Sequence, residues 1–213
     1  MTYLNGDVDV PVGSHRLFPY FSNLLILTAC ISRALSVTAN APIYFRPGAY
    51  TFFNSRQFPV TVKLPEFGPI ECALKQERYH VIQVRFEPKQ SPAGNTVGLG
   101  LTREASNSIC LATILPVFST FFEDNVAWLL QNVHSVKSQW PGVIGFARVV
   151  RNAVAHGGSI KINPNATPVT WHHLSYGPAE NGKQIIGTDL IFGDLMILMF
   201  ELSDELDRRG CPR

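Results

Sequence analysis

The chain has 213 residues, of which 46% are hydrophobic and 16% are charged, and its formal net charge is +2. This length allows one sizeable core, and the charge is too small for a protein that coats nucleic acid with its whole surface. The charged fraction lies below the usual value of about 25%, which indicates a surface partly covered by insertions or by a partner subunit.

Four segments have the pattern of helices, at residues 15–37, 103–136, 142–156 and 188–209. In each segment apolar residues recur at helical spacing and form a broad face. The last helix is predicted to begin with Thr188 as its N-cap, because a threonine hydroxyl can accept from the first free backbone N–H groups.

The segments between these helices have β character. Residues 1–14 contain Pro11 and Gly13 and predict an irregular lead-in. Residues 41–88 change to a period of two, most clearly at Tyr79–Phe86, and predict a β-rich insertion. A second insertion of short strands is predicted at 159–187. We therefore expect one α+β domain over residues 1–213, mainly α: a four-helix up-and-down bundle with β-insertions after the first and third helices.

Cysteine spacing and apolar stretches bear on metals and membranes. The four cysteines show no C-x-x-C spacing and no zinc-ligand spacing to a histidine, so we expect reduced thiols, no metal and no cofactor. The first sixteen residues are polar and unlike a secretory leader. Uncharged stretches at 17–32 and 105–122 hold proline and polar residues, so we interpret both as buried helices. These features predict a cytoplasmic protein without membrane association.

The end of the third helix carries the residues best suited to chemistry. Arg151 and Asn152 are followed by His156 and then by Gly157 and Gly158, which favour a left-handed helix C-cap. Asn152 and His156 are four residues apart and share a helix face. A guanidinium can hold phosphate oxygens bidentately, and an imidazole can move a proton near neutral pH. The alternative interpretation is that these side chains only cap the carbonyl groups at the helix end.

This segment, Arg151-Asn152-Ala153-Val154-Ala155-His156-Gly157, resembles the R-x4-6-H signature of the HEPN superfamily. The resemblance is firmest over residues 139–209. It implies a four-helix domain, a homodimer with two motifs in one composite cleft, and a metal-independent endoribonuclease. Arg151 would hold the phosphate, Asn152 would orient the phosphate or the imidazole, and His156 would act as general acid or base.

Further residues are candidates for the same site. Arg148 lies one helical turn before Arg151 and is expected to widen the positive patch. Lys161 and Tyr176 are expected to contact RNA from the second insertion. Glu123 and Asp124 on the second helix are expected either to orient the motif side chains or to form surface salt bridges.

The sequence lacks the patterns that are typical of several other enzyme classes. His172 and His173 are predicted on one strand, where they would face opposite sides and could not share a metal. No P-loop, G-x-S-x-G or H-E-x-x-H motif is present in the sequence.

The function expected is a toxin, antiviral or RNA-processing ribonuclease, with an antitoxin protein as a further partner. The alternative is a noncatalytic dimerisation or RNA/nucleotide-binding module.

Overall fold

The computed structural model describes residues 6–38, 50–65, 80–89 and 103–213. Its strands are β1 (Gly6–Pro11), β2 (Tyr50–Asn54), β3 (Val60–Pro65), β4 (Val81–Pro88), β5 (Val169–Trp171) and β6 (Leu174–Tyr176). Its α-helices are α1 (Phe18–Thr38), α2 (Arg103–Asn132), α3 (Gly142–Ala155) and α4 (Phe192–Arg208). Short 3-10 turns lie at Lys137–Gln139 and Pro178–Glu180.

The first four strands form an antiparallel sheet in the order β1-β4-β3-β2. Alternate residues of β3 and β4 face the core because successive side chains of a strand point to opposite faces. The buried set is Val60, Val62, Leu64, Ile82, Val84 and Phe86. The alternation predicted for Tyr79–Phe86 is confirmed where it is described, since Val81, Gln83 and Arg85 face outward.

Helix α4 is the central element of the core. It contacts α2 and α3 on one side and strands β2 and β3 on the other. The Phe200 ring meets the ring of Phe21 from α1 at 5.3 Å and the ring of Phe86 from β4 at 5.6 Å. At Gly193 a Cβ atom would lie 2.6 Å from the carbonyl oxygen of Asn54, so this glycine allows the helix to pack directly on the sheet backbone.

The expected four-helix up-and-down bundle with β-insertions is wrong. The structure is an α+β fold in which the four-stranded sheet forms a layer of the core beneath α1 and α4. Residues 6–11, expected to be irregular, form β1 and pair with β4. Local breakers at Pro11 and Gly13 suggested a loop, but the backbone partners of this strand lie far along the chain and are invisible to local periodicity.

Several boundaries also differ from the expectation. The last helix begins at Phe192 and not at Thr188, because the Asp194 carboxylate accepts from the backbone N–H of Ile191 and acts as the cap. Helix α2 ends at Asn132 rather than at residue 136. Parts of the first predicted insertion, residues 41–49 and 66–79, and the loop at 90–102 lie outside the described residues.

In the described part of the chain, one segment of α2, Ser108–Asn132, is long and apolar enough to cross a membrane by length and composition. Core helices of soluble proteins meet the same two criteria. One side of this segment is buried against the rest of the core, through Ile114, Phe118, Phe121, Phe122 and Leu129. The structure is therefore compatible with a soluble protein.

Candidate functional site

Helix α3 separates a buried face from a polar edge. Its buried face packs into the core through Ile144, Phe146, Ala147, Val149, Val150 and Ala153. The opposite edge carries Arg148, Arg151 and Asn152, which are half-buried, and ends at the exposed His156. The spacing of about 100° per residue puts Asn152 and His156 on one face of the helix, whereas Arg151 lies at the other margin of this edge.

The helix ends as the glycine pattern predicts. His156 is the C-cap, and its backbone N–H donates to the carbonyl groups of Asn152 at 3.1 Å and Ala153 at 3.0 Å. Gly157 and Gly158 follow with φ values of 70° and 92°, in the left-handed region. The Gly158 N–H donates to Ala153 O at 2.7 Å, which closes the turn directly behind His156.

Gln184 holds this turn from the neighbouring segment. Its Oε1 accepts from the Ser159 hydroxyl at 2.8 Å, and its Nε2 donates to Ile186 O at 3.0 Å. A Cβ atom at Gly158 would lie 2.3 Å from Nε2, so the amide packs over the bare glycine. Sequence reasoning missed Gln184, because the segments that contain Ser159 and Gln184 meet only in the tertiary structure, through this bridge and neighbouring backbone hydrogen bonds.

Arg151 forms an ion pair with Glu123 of α2, between the arginine Nε and the Glu123 Oε1. The side chains are 34% and 42% exposed, so the pair is partly open to water. The adjacent Asp124 instead accepts from the hydroxyl of Tyr20, in α1, at 2.6 Å. The two neighbouring carboxylates therefore have different partners, and only Glu123 reaches the motif.

Arg148 has no counter-charge in the described part of the chain. Its guanidinium makes no ion pair or hydrogen bond there, and its Nε is buried without a partner. Burial lowers the pKa of the Arg148 guanidinium from its ordinary value, although arginine stays charged at neutral pH. A buried donor without an acceptor is uncommon in native proteins, and an anion bound on this edge would satisfy it.

Arg151 and His156 do not converge through helix geometry alone. Five residues of α-helix rotate the side-chain direction by about 140° net. Arg151 is held toward α2, whereas the His156 imidazole has no hydrogen bond to any group of the described ranges. A ligand that contacts both groups must therefore span the edge of the helix, or the second group must come from another copy of the chain.

The two residues expected to bind RNA from the second insertion differ in placement. Lys161 is exposed and follows the glycine turn in the sequence. Tyr176 is only 1% exposed; its ring stacks on Phe146 at 5.2 Å and its hydroxyl donates to Asp189 at 2.9 Å. Burial, followed by this hydrogen bond, raises the pKa of Tyr176 above its ordinary value. Tyr176 is thus a core residue whose hydroxyl is engaged by Asp189, and this placement does not favour the expected contact with the RNA phosphate.

His172 and His173 form the turn of the β5–β6 hairpin and do not lie within a strand as expected. His172, with φ of 51°, places Nε2 2.8 Å from Glu201 Oε1, and the same carboxylate accepts from Trp171 Nε1 at 2.6 Å. His173 places Nε2 2.6 Å from Gln57 Oε1. The two imidazoles therefore reach different partners and tie the hairpin to α4 and to the loop after β2.

A groove of about 350 Å³ lies between α1 and α2. It is lined by Tyr20, Asn23, Ile26, Leu27, Pro116, Val117 and Thr120. The described residues contain no group of three or more His, Cys, Asp or Glu side chains arranged to hold a metal ion. Cys30, Cys110 and Cys211 are free thiols, whereas Cys72 lies outside the described ranges.

We compared the chain with protein-family models, with curated proteins and with solved structures, and no match was found in any of the three.

Proposed function

We propose that the protein is a metal-independent endoribonuclease that uses its R-x4-6-H segment as HEPN ribonucleases do. The observation that carries this proposal is the edge of α3, where two arginines one turn apart precede a histidine and the first of them, Arg148, has no partner among the residues that the structure describes. Such an edge suits a polyanion, because guanidinium groups hold phosphate oxygens bidentately. The proposal depends on this motif and its surroundings and not on a four-helix bundle.

The chemistry requires one internal nucleophile and one proton carrier. The ribose 2′-oxygen forms a bond to phosphorus, the bond from phosphorus to the 5′-oxygen breaks, and a cyclic phosphate remains. His156 takes the proton from the 2′-hydroxyl or delivers one to the leaving 5′-oxygen, and water or His156 of the second copy in the proposed dimer carries out the other transfer. Arg151, with Arg148, stabilises the charge that develops on the non-bridging oxygens, and Asn152 orients the phosphate or the imidazole. DNA lacks the 2′-hydroxyl and should not be cleaved.

The proposal includes a homodimer with a composite cleft. The angle of about 140° between the directions of Arg151 and His156 supports it, because a second copy can supply the group that one chain turns away. RNA is the proposed substrate, and Lys161 is a further contact beside the turn. A cytoplasmic toxin, antiviral or RNA-processing role follows, with an antitoxin protein as an additional partner of a toxin.

The test is cleavage of mixed tRNA and single-stranded RNA in the presence of EDTA. Wild-type protein would be compared with Arg151→Ala and His156→Ala after each has been shown to keep its fold and its mass in solution. The expected result is cleavage by the wild type and loss of at least about a hundredfold in each variant, the scale of a general acid–base contribution. Cleavage that survives both substitutions would exclude this site.

A noncatalytic RNA-binding or dimerisation module is the second candidate. It is favoured by two observations: Glu123 partly neutralises Arg151, and His156 lacks an orienting partner among the described residues. This candidate predicts RNA binding without cleavage. Growth inhibition on expression, relieved by His156→Ala, would favour the ribonuclease, whereas unchanged growth together with Arg151-dependent RNA binding would favour the module.

A further inference from the structure

The Glu123 carboxylate stands where a phosphate of the ligand would be expected. It contacts the Nε edge of Arg151, and this edge, together with one Nη, forms a fork that can bind two oxygens of one anion. The guanidinium has no other ion pair or hydrogen bond with the described residues. A phosphate that uses this fork must therefore displace Glu123 or bind beside its negative charge.

The pair is exposed enough to exchange. The side chains of Arg151 and Glu123 are 34% and 42% exposed, and ion pairs of this kind contribute little because water screens them. Glu123 belongs to α2 and Arg151 to α3, so either side chain can rotate away without disturbing a helix. Arg148, one turn away, offers a guanidinium that no carboxylate of the described ranges contacts.

We propose that Glu123 is a specificity-determining residue of this site: it competes with the phosphate of RNA for Arg151 and sets how tightly RNA is held. This inference rests on the proposed function, since it takes Arg151 as the phosphate contact. Bound RNA first meets Arg148 and gains Arg151 only when its phosphate replaces the carboxylate. Ligands of weak negative charge fail to displace Glu123 and are bound poorly.

The sequence offers a matched control in the adjacent residue. Asp124 carries the same charge one position along α2, but its carboxylate accepts from Tyr20 and does not contact Arg151. Asp124→Asn therefore changes the net charge by the same amount as Glu123→Gln. Unlike Glu123→Gln, it does not release the Arg151 guanidinium. A general electrostatic effect would change RNA binding in both variants, whereas relief of competition at Arg151 would change it only in Glu123→Gln.

The experiment measures binding of a fluorescein-labelled 2′-O-methyl RNA, which lacks the nucleophile, to the full chain in EDTA. The proteins are wild type, Glu123→Gln, Asp124→Asn, Arg151→Ala and the double variant Glu123→Gln/Arg151→Ala, each with its thermal unfolding measured first. Glu123→Gln should lower Kd by about two- to fivefold, the range of an exposed ion pair. Asp124→Asn should leave Kd unchanged, and the double variant should match Arg151→Ala.

The gain should shrink as salt is raised, because screening weakens the competing pair. Weaker binding by Glu123→Gln would overturn the proposal and show that the carboxylate positions Arg151 instead. An unchanged Kd, an equal gain in Asp124→Asn, or a gain that persists without Arg151 would also overturn it. If Arg151→Ala weakens RNA binding but Glu123→Gln fails to tighten it, only the role proposed for Glu123 is excluded and the proposed site is retained. If Arg151→Ala has no effect, the proposed site fails with it.

Discussion

The buried carboxylate of Asp194, in the first turn of α4, accepts a hydrogen bond from the hydroxyl of Ser55 in the loop between β2 and β3. The same carboxylate accepts from the backbone N–H groups of Arg56 and Gln57, at 3.0 Å each, and of Ile191 at 2.9 Å. Asp194 thus caps the helix and fastens the sheet loop with one side chain. This contact fixes the central helix against the sheet and so positions the other helices that α4 contacts.

Replacing Asp194 by Asn should destabilise the fold by about 2–4 kcal/mol. The asparagine amide keeps the shape of the carboxylate, but its NH2 group would face an N–H donor that the carboxylate accepts from. The measurement is the free energy of unfolding in urea. Asp204→Asn makes the same change at an exposed position of the same helix and serves as the control. Equal effects of the two substitutions would contradict the role given to Asp194.

The glycine turn behind His156 makes a second prediction. Gly158→Ala should cost about 1 kcal/mol for its positive φ and more for the clash with Gln184. Gly182→Ala is the control, because Gly182 has a φ of 84° but open space around its Cβ position. The difference between the two unfolding free energies reports the clash.

The same turn can be tested by a compensating change. Gln184→Ala removes the amide that a Cβ at Gly158 would meet, and with it the hydrogen bonds to Ser159 and Ile186. In the Gln184→Ala background, Gly158→Ala should therefore cost no more than Gly182→Ala costs in the wild type. A penalty that stays as large as in the wild-type background would show that the neighbouring Ile186 causes the clash.

Arg148 should contribute to RNA affinity. Arg148→Ala is expected to weaken binding of single-stranded RNA and to reduce the slope of log K against log salt by about 0.7, the value for one phosphate contact on a single strand. Fluorescence anisotropy across a salt series measures both quantities. Arg208→Ala, which removes an exposed arginine from the end of α4, is the charge-matched control. An unchanged slope would place the phosphate elsewhere.

Asp207 near the end of α4 makes a prediction about acid stability. Burial acts to raise the pKa of Asp207, but hydrogen bonds from Arg213 and Arg16 outweigh it, so the pKa lies below its ordinary value of 3.8. A carboxyl group whose pKa is lower in the folded than in the unfolded state stabilises the fold at pH values above its unfolded pKa. This stabilisation is lost as the pH falls through the folded pKa. The contribution should therefore begin to fall near the ordinary pKa of 3.8 and should be lost at lower pH.

The check is the unfolding free energy of wild type and Asp207→Asn between pH 6 and pH 2. The variant should be less stable by about 1 kcal/mol at the upper end, a value reduced for the partial exposure of the pair. The two proteins should converge as the pH falls below the ordinary value of 3.8. A constant difference across this range would show that the titration of Asp207 is not the cause.

Elements whose signals are local can be predicted from the amino-acid pattern alone. Helical spacing and two glycines placed the end of α3 correctly, because residues three and four apart meet on a helix and glycine accepts a positive φ at its end. Alternation placed β4 and its buried face, since side chains of a strand alternate every residue. The polar edge with Arg148, Arg151 and His156 follows from the same local geometry.

Contacts between segments that are distant in the chain depend on how the whole core packs. The pairing of β1 with β4 turned a presumed insertion into a core layer, and no local pattern encodes a partner so far along the chain. Likewise, Tyr176 is buried because Phe146 of α3 covers its ring, and Arg151 faces α2 because Glu123 lies there. Burial and charge pairing depend on which surfaces pack together, and this packing is determined by contacts throughout the core.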